Sequence, residues 1–157
     1  MVFVSWQAWD TTRSSVIDRL MTCLQPGWRG CHPLDRLTDL RGLEEGESLL
    51  LYRDQHWSAL QRRQNCFLYF DPQGDQGEVR ELLPSSYLSN PTAVQSSSSQ
   101  ECGLFSMLFI RLVEDVKSYE NFLNLFDYPC SLTNDSIARH HFLWSSQPKK
   151  CMSLCEQ

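Results

Sequence analysis

The stretch from Gly103 to Lys117 constrains this chain more than any other. Leu104, Phe105, Met107, Leu108, Phe109, Ile110, Leu112, Val113 and Val116 leave almost no polar face over its first three turns. A helix that is apolar nearly all round has to be enclosed, so the chain must wrap other elements about it. What leads into that helix is of the opposite character: Gln95, four serines, Gln100 and Glu101 run up to Cys102 and Gly103. A cysteine at a helix start stands where a thiolate is easiest to make, because the unpaired N–H groups and the positive end of the helix dipole favour negative sulfur. Gly103 leaves room for a substrate to approach it. Cys102 is therefore a candidate nucleophile, and the question is whether the chain also supplies a base, an orienting acid and an oxyanion donor.

The enclosing material is sufficient. At 157 residues with 41% hydrophobic residues and five tryptophans, the chain is expected to form one domain over 1–147, burying roughly two-thirds of its unfolded surface. Residues 148–157 read as a polar, mobile tail. A net charge of −5, from 14 Lys and Arg against 19 Asp and Glu, argues against a broad electrostatic grip on nucleic acid. The seven cysteines, at 23, 31, 66, 102, 130, 151 and 155, are odd in number and lack the regular spacing of a disulfide scaffold. No signal peptide and no run of ~18 apolar residues is seen. A soluble, non-secreted protein of a reducing compartment is expected. Cys23, Cys66 and Cys130, among apolar neighbours, read as buried thiols.

Thr11 to Leu24 is expected as an amphipathic helix stopped by Pro26-Gly27, and Gly27 to Gly46 as a loop-rich region with a short helical piece after Pro33. Three extended segments follow, Ser48 to Tyr52, His56 to Gln61 and Cys66 to Phe70, and they make the sheet. Further helices are expected over Tyr119 to Phe126 and Leu132 to Trp144. If Arg62 to Asn65 is a four-residue hairpin loop, Gln61 faces Cys66, Ser58 faces Tyr69 and His56 faces Asp71. Opposed Cβ atoms lie about 4.5–5.5 Å apart, so the Asp71 carboxylate reaches the His56 imidazole. That is the base and orienter a thiol nucleophile needs. Trp57, Ala59, Leu68 and Phe70 line one face of the hairpin and Leu60, Phe67 and Tyr69 the other, so both faces are expected to be covered. The fold class expected is α+β, a central and mostly antiparallel sheet covered by helices, with a buried central helix starting at Cys102.

In chain order the candidates are His56-Trp57, Leu68-Tyr69-Phe70-Asp71-Pro72-Gln73-Gly74, and Gln95 through Glu101-Cys102-Gly103-Leu104-Phe105-Ser106-Met107. This set resembles the CE-clan cysteine proteases, most closely the adenovirus maturation proteases (adenain type), over about residues 48 to 126. Towards the SUMO- and ubiquitin-like-protein proteases the likeness shrinks to His-Trp, Asp, Gln and Cys-Gly. The resemblance implies a papain-like fold and a thiolate acyl-enzyme mechanism. Cys102 would be the nucleophile, His56 the general base and acid, and Asp71 the residue that fixes the imidazole, a place that Glu fills in adenain. Gln95 would serve the oxyanion together with the Cys102 N–H; Gln100 lies in the same run, but the seven-residue separation of Gln95 from Cys102 matches the family. Trp57 would wall a narrow channel beside the thiol, with Gly103 also at the substrate.

By the same resemblance the substrates would be viral capsid or core precursor proteins cut at Gly-containing sites. The setting would be the virion and the nucleus or cytoplasm of a host cell. No cofactor is required, though adenain is stimulated by a short viral peptide and by DNA. With a charge of −5 the DNA dependence does not carry over, and no cysteine maps onto the peptide-linking one. A monomer that binds no membrane is expected.

Each residue also has a plainer reading. A cysteine at a helix start is by itself more often structural, Asp71 before Pro72 is an ordinary turn starter, and Trp57 is an ordinary core aromatic. His140 and His141, adjacent on one helix, do not make a metal pair, which needs a spacing of three or four. Cys151 and Cys155 with Cys31 and His32 are poorly spaced for zinc, so no metal is expected. Two alternatives to a viral endopeptidase stay open: a protease of the same clan acting on ubiquitin-like modifiers, and an inactive module that keeps the fold.

Overall fold

The computed structural model describes residues 14–145. Helix α1 spans Ser14–Leu24, β1 Trp28–Pro33, β2 Ser48–Arg53, β3 His56–Arg63, β4 Cys66–Phe70, α2 Cys102–Leu112, α3 Val116–Leu123 and α4 Thr133–Ser145, with one 3-10 turn at Leu34–Arg36. The part of the expected first helix before Ser14 and the tail at 148–157, with Cys151 and Cys155, lie outside the described residues. The chain is α+β, with a four-stranded mixed sheet in the order β1-β2-β3-β4. β1 runs parallel to β2, and the other two pairs are antiparallel.

Strand β1 lies where a loop was expected. Its residues do not alternate in polarity, Gly30 takes φ +89°, and the register shifts between Trp28 and Cys31. Such an edge strand carries no period-2 signal. Gly27 starts it at φ +78°, and a Cβ there would stand 2.2 Å from the Gly46 carbonyl oxygen, so only glycine admits this crossing of the two segments.

Both hairpins close through two residues with positive φ: Asp54 and Gln55 at 51° and 62°, Gln64 and Asn65 at 53° and 61°. This is the type I′ geometry that matches strand twist. The β3–β4 loop is thus two residues, not the expected four. Arg63 pairs with Cys66, Arg62 with Phe67, Gln61 with Leu68 and Ala59 with Phe70, a slip of two from the expected register. The cause is the Glu45 carboxylate, which accepts the N–H groups of both Gln64 and Asn65 and holds the tight turn. An even slip leaves every side chain on its face.

The faces therefore divide as the alternation requires. Leu50, Trp57, Ala59, Leu68 and Phe70 join the helices, with Ile17, Met21, Phe105, Phe109, Phe122 and Phe142, in one core. Leu49, Leu51, Leu60, Phe67 and Tyr69 form a second core with Leu34, Leu40, Leu43, Val79 and Leu83. The second face is thus covered largely by irregular chain, not by a helix layer as expected. In α2 every residue from Cys102 to Ile110 is buried. The Phe109 ring lies 5.3 Å from Phe70 and 5.1 Å from Tyr119, and burying such a ring is worth about 1.5–3 kcal/mol.

Helix α2 stops at Leu112, short of the expected Lys117. Asp115 caps a new helix: its carboxylate accepts the Ser118 N–H at 2.7 Å while the Ser118 hydroxyl accepts the Asp115 N–H at 3.0 Å. This reciprocal cap turns the chain at a point where hydrophobicity alone reads as continuous. No helix among the described residues is long and apolar enough to cross a membrane.

Candidate active site

Three segments bring the candidate residues together: the start of β3, the end of β4 and the start of α2. The I′ turn at Asp54-Gln55 delivers His56 as the first residue of β3. Asp71 follows the last residue of β4 and is 3% exposed. His56 Nε2–H donates to Asp71 Oδ1 at 2.6 Å, and the same oxygen accepts the Gln73 N–H at 2.9 Å. In the observed register these residues are not directly opposed, as expected, but diagonal. They still share a face, because the slip is even.

Cys102 is the first residue of α2 and is 7% exposed. Its sulfur accepts the Trp57 N–H at 3.4 Å, and the thiol lies 3.9 Å from the Gln55 carbonyl oxygen. The Cys102 sulfur stands close enough to the His56 ring to act on its titration. With Nε2 on Asp71, Nδ1 is the ring nitrogen left for the sulfur. Burial works against the charged imidazole, but the hydrogen bond to Asp71, the nearby Cys102 sulfur and the negative charge of both outweigh it, and His56 is pushed up to about 10.

Gln95 is held at the neighbouring loop. Its N–H and that of Val94 both donate to the Pro72 carbonyl at 2.8 Å, which fastens this segment to the residue after Asp71. Its side-chain Nε2 donates to the carbonyl and the hydroxyl of Ser99, both at 3.1 Å. Both amide N–H groups are thus taken up inside the serine run. The run is a closed turn: the Ser99 N–H donates to the Ser96 carbonyl at 3.0 Å, and the Ser99 hydroxyl accepts the Glu101 N–H at 3.2 Å. Its composition reads as a linker, yet Ser99 is buried within it.

Trp57, expected beside a substrate channel, is 5% exposed, with its ring 4.8 Å from Tyr52. It is a core side chain here, and its backbone N–H is what reaches the sulfur. Gly103 is buried in the first turn of α2. Gln100 is exposed.

The sequence reading missed Glu101 and Asn90. Glu101, 3% exposed, precedes α2 and receives the guanidinium of Arg139 from α4, with Arg139 Nε donating at 2.8 Å. A glutamate directly before the cysteine, at a helix start, was the available signal. Asn90, 1% exposed, bonds the backbone of Asp71. A cleft of about 460 Å3 adjoins this end of the sheet, lined by Leu34, Leu37, Arg53, Glu78, Arg80 and Leu82 among others. Arg53 pairs opposite His56 in the β2–β3 ladder. Among the described residues no group of three or more His, Cys, Asp or Glu side chains stands together as a metal site.

No protein-family model matches the chain, and no curated protein matches it.

Proposed function

We propose that the chain is a thiol endopeptidase of the papain-like, adenain type, cutting viral precursor proteins at Gly-containing sites. The observation that carries this reading is the placement of His56, hydrogen-bonded to a buried carboxylate and flanked by Gln55 and Trp57, whose backbone groups both contact the sulfur of a cysteine at a helix start. The Cys102 thiol gives its proton to His56 Nδ1, and the thiolate attacks the scissile carbonyl carbon. The C–N bond then breaks, and the imidazolium returns the proton to the departing amine. Water, deprotonated by His56, hydrolyses the thioester and restores the thiol. Asp71 keeps the imidazole in the tautomer that carries a proton on Nε2 and stabilises its cation.

The oxyanion requires donors aimed at the developing charge. The N–H groups at the start of α2, Cys102 foremost, have no partner four residues back and suit this role. Gln95 joins them when its amide leaves Ser99, so a shift of the Ser96 to Ser99 turn belongs to substrate binding. A short activating peptide is a fitting trigger for that shift. The residues take part without a metal or organic cofactor, and the acidic chain offers no broad surface for DNA.

The test is cleavage of Gly-X-Gly-type peptides by the full chain and by Cys102→Ala, with and without capsid-derived peptides as activators. Cleavage that disappears in the variant is the expected result. Equal cleavage by both proteins would remove Cys102 from the mechanism, and cleavage of a modifier fusion alone would shift the substrate to ubiquitin-like proteins.

A further inference from the structure

We propose that Asn90 is a positioning residue of the site, fixing the backbone of Asp71 so that its carboxylate meets His56; this rests on the reading of Cys102, His56 and Asp71 given above. Strand β4 runs out at Phe70, one residue before Asp71. Leu88 lies beside β4 as a partner strand would: the Tyr69 N–H donates to the Leu88 carbonyl at 2.8 Å, and the Leu88 N–H donates to the Phe67 carbonyl at 2.9 Å. At the next rung the backbones no longer pair, and the Asn90 side chain takes over. Its Nδ2 donates to the Asp71 carbonyl at 2.6 Å, and its Oδ1 accepts the Asp71 N–H at 3.0 Å.

A carboxamide carries the same donor and acceptor as a peptide unit, so Asn90 supplies one more rung of sheet exactly where the functional carboxylate leaves it. The side chain is itself fixed. Its second N–H donates to the Thr92 carbonyl at 3.1 Å, its own carbonyl accepts the Asp75 N–H at 2.8 Å, and it is 1% exposed. Pro72 follows Asp71 and has no N–H, so the next residue offers only its carbonyl, which accepts the Val94 and Gln95 N–H groups, and the Asp71 N–H is the last backbone donor before the chain turns away. Removing Asn90 leaves the Asp71 N–H without a partner in the interior, while the Asp71 carbonyl keeps the Gly74 N–H at 2.9 Å; the N–H regains a partner only if Asp71 moves. A displacement of ~1 Å in a group that orients a base is enough to cost ~10² in rate.

A second buried asparagine gives the control. Asn134, fully buried, donates to the Val94 carbonyl at 2.9 Å and the Asp127 carbonyl at 3.0 Å, and accepts the Asp127 N–H at 2.8 Å. It makes the same kind of bonds, to other segments.

The experiment follows the His56 ring by NMR as pH is raised, in the full chain and in Asn90→Ala, Asn90→Ser and Asn134→Ala, with melting temperatures alongside. The charged groups that act on His56 are Asp71, at the end of β4, and Cys102, on α2. In the unaltered chain the ring is expected to titrate near 10. Both Asn90 variants should titrate at least one unit lower, a tenfold weaker hold on the imidazolium, while Asn134→Ala melts earlier with its His56 titration unchanged. Folded Asn90 variants that keep the unaltered titration would overturn the proposal and leave the protease reading intact. Loss of the fold in both Asn90 variants would overturn it too, assigning Asn90 to the scaffold alone. A ring that titrates at its ordinary value in the unaltered chain would instead remove the reading of the site, and the proposal with it.

Discussion

His56 and Asp71 are joined by a 2.6 Å hydrogen bond although they do not stand opposite each other in the sheet. Ala59 faces Phe70, so one further step would set Asp71 beside Ser58, two residues from His56. The diagonal reach works because the strand ends there and Asp71 is held from behind by Asn90 and Gln73.

The sign of the resulting pH dependence follows from the raised titration of His56. The folded chain holds a proton on this ring up to about 10, whereas the unfolded chain releases it near 6.5. Between those values the folded state binds more protons, so this contribution to stability is fully present below 6.5 and is lost as pH rises through about 10. Urea midpoints of the unaltered chain and His56→Gln should therefore converge as pH climbs through that window. Parallel curves would show that the ring is not held as a cation.

Asp71→Asn keeps the shape of the pair but not its charge. It is expected to lower peptide turnover by about 10²–10⁴, as changes that mis-set the tautomer of a catalytic imidazole do. The change should appear in kcat more than in KM, because in the proposed mechanism Asp71 acts on the base and not on the peptide.

Gln95→Ala tests the oxyanion assignment. Its amide rests on Ser99 in the structure, and if it turns to the substrate in the reaction, kcat should fall by about 10²–10³. A fall of less than about threefold, small against that range, would leave the oxyanion to backbone N–H groups alone.

Glu101 and Arg139 fasten α4 to the start of α2. Arg139→Met takes the guanidinium away from a buried carboxylate and should cost about 2–3 kcal/mol, less than the ~3–5 of a fully buried pair because Arg139 is partly exposed. Glu101→Gln with Arg139→Met should cost less than the two single changes added together, since the two side chains bond each other directly. Denaturant midpoints of the three variants measure this.

How much of this could be read from the sequence follows from which forces are local. The two-sided hairpin and the buried helix were legible, because the apolar strand segments over 57–60 and 67–70 and the apolar run after Cys102 are local signals. Their consequence, His56 and Asp71 on one face at one end, survived a wrong register because the error was even. What was not legible depends on distant partners. Glu45 sets the tight turn from twenty residues away, β1 exists only as an edge on β2, and Asn90 reveals its role only when Asp71 lies beside it. The stop at Leu112 was local and was overlooked, since Asp115 and Ser118 spell a cap that the hydrophobic run masks.

The most direct test of the central claim is the rate at which iodoacetamide alkylates Cys102 at a pH of about 6, read by mass spectrometry against Cys23 and Cys66 in the same chain. An imidazole-paired thiolate should react roughly 10²-fold faster than an ordinary thiol, most of which is protonated at that pH. His56→Ala should remove the advantage. Alkylation of Cys102 no faster than that of Cys66, or unaffected by His56→Ala, would contradict a Cys102–His56 catalytic pair.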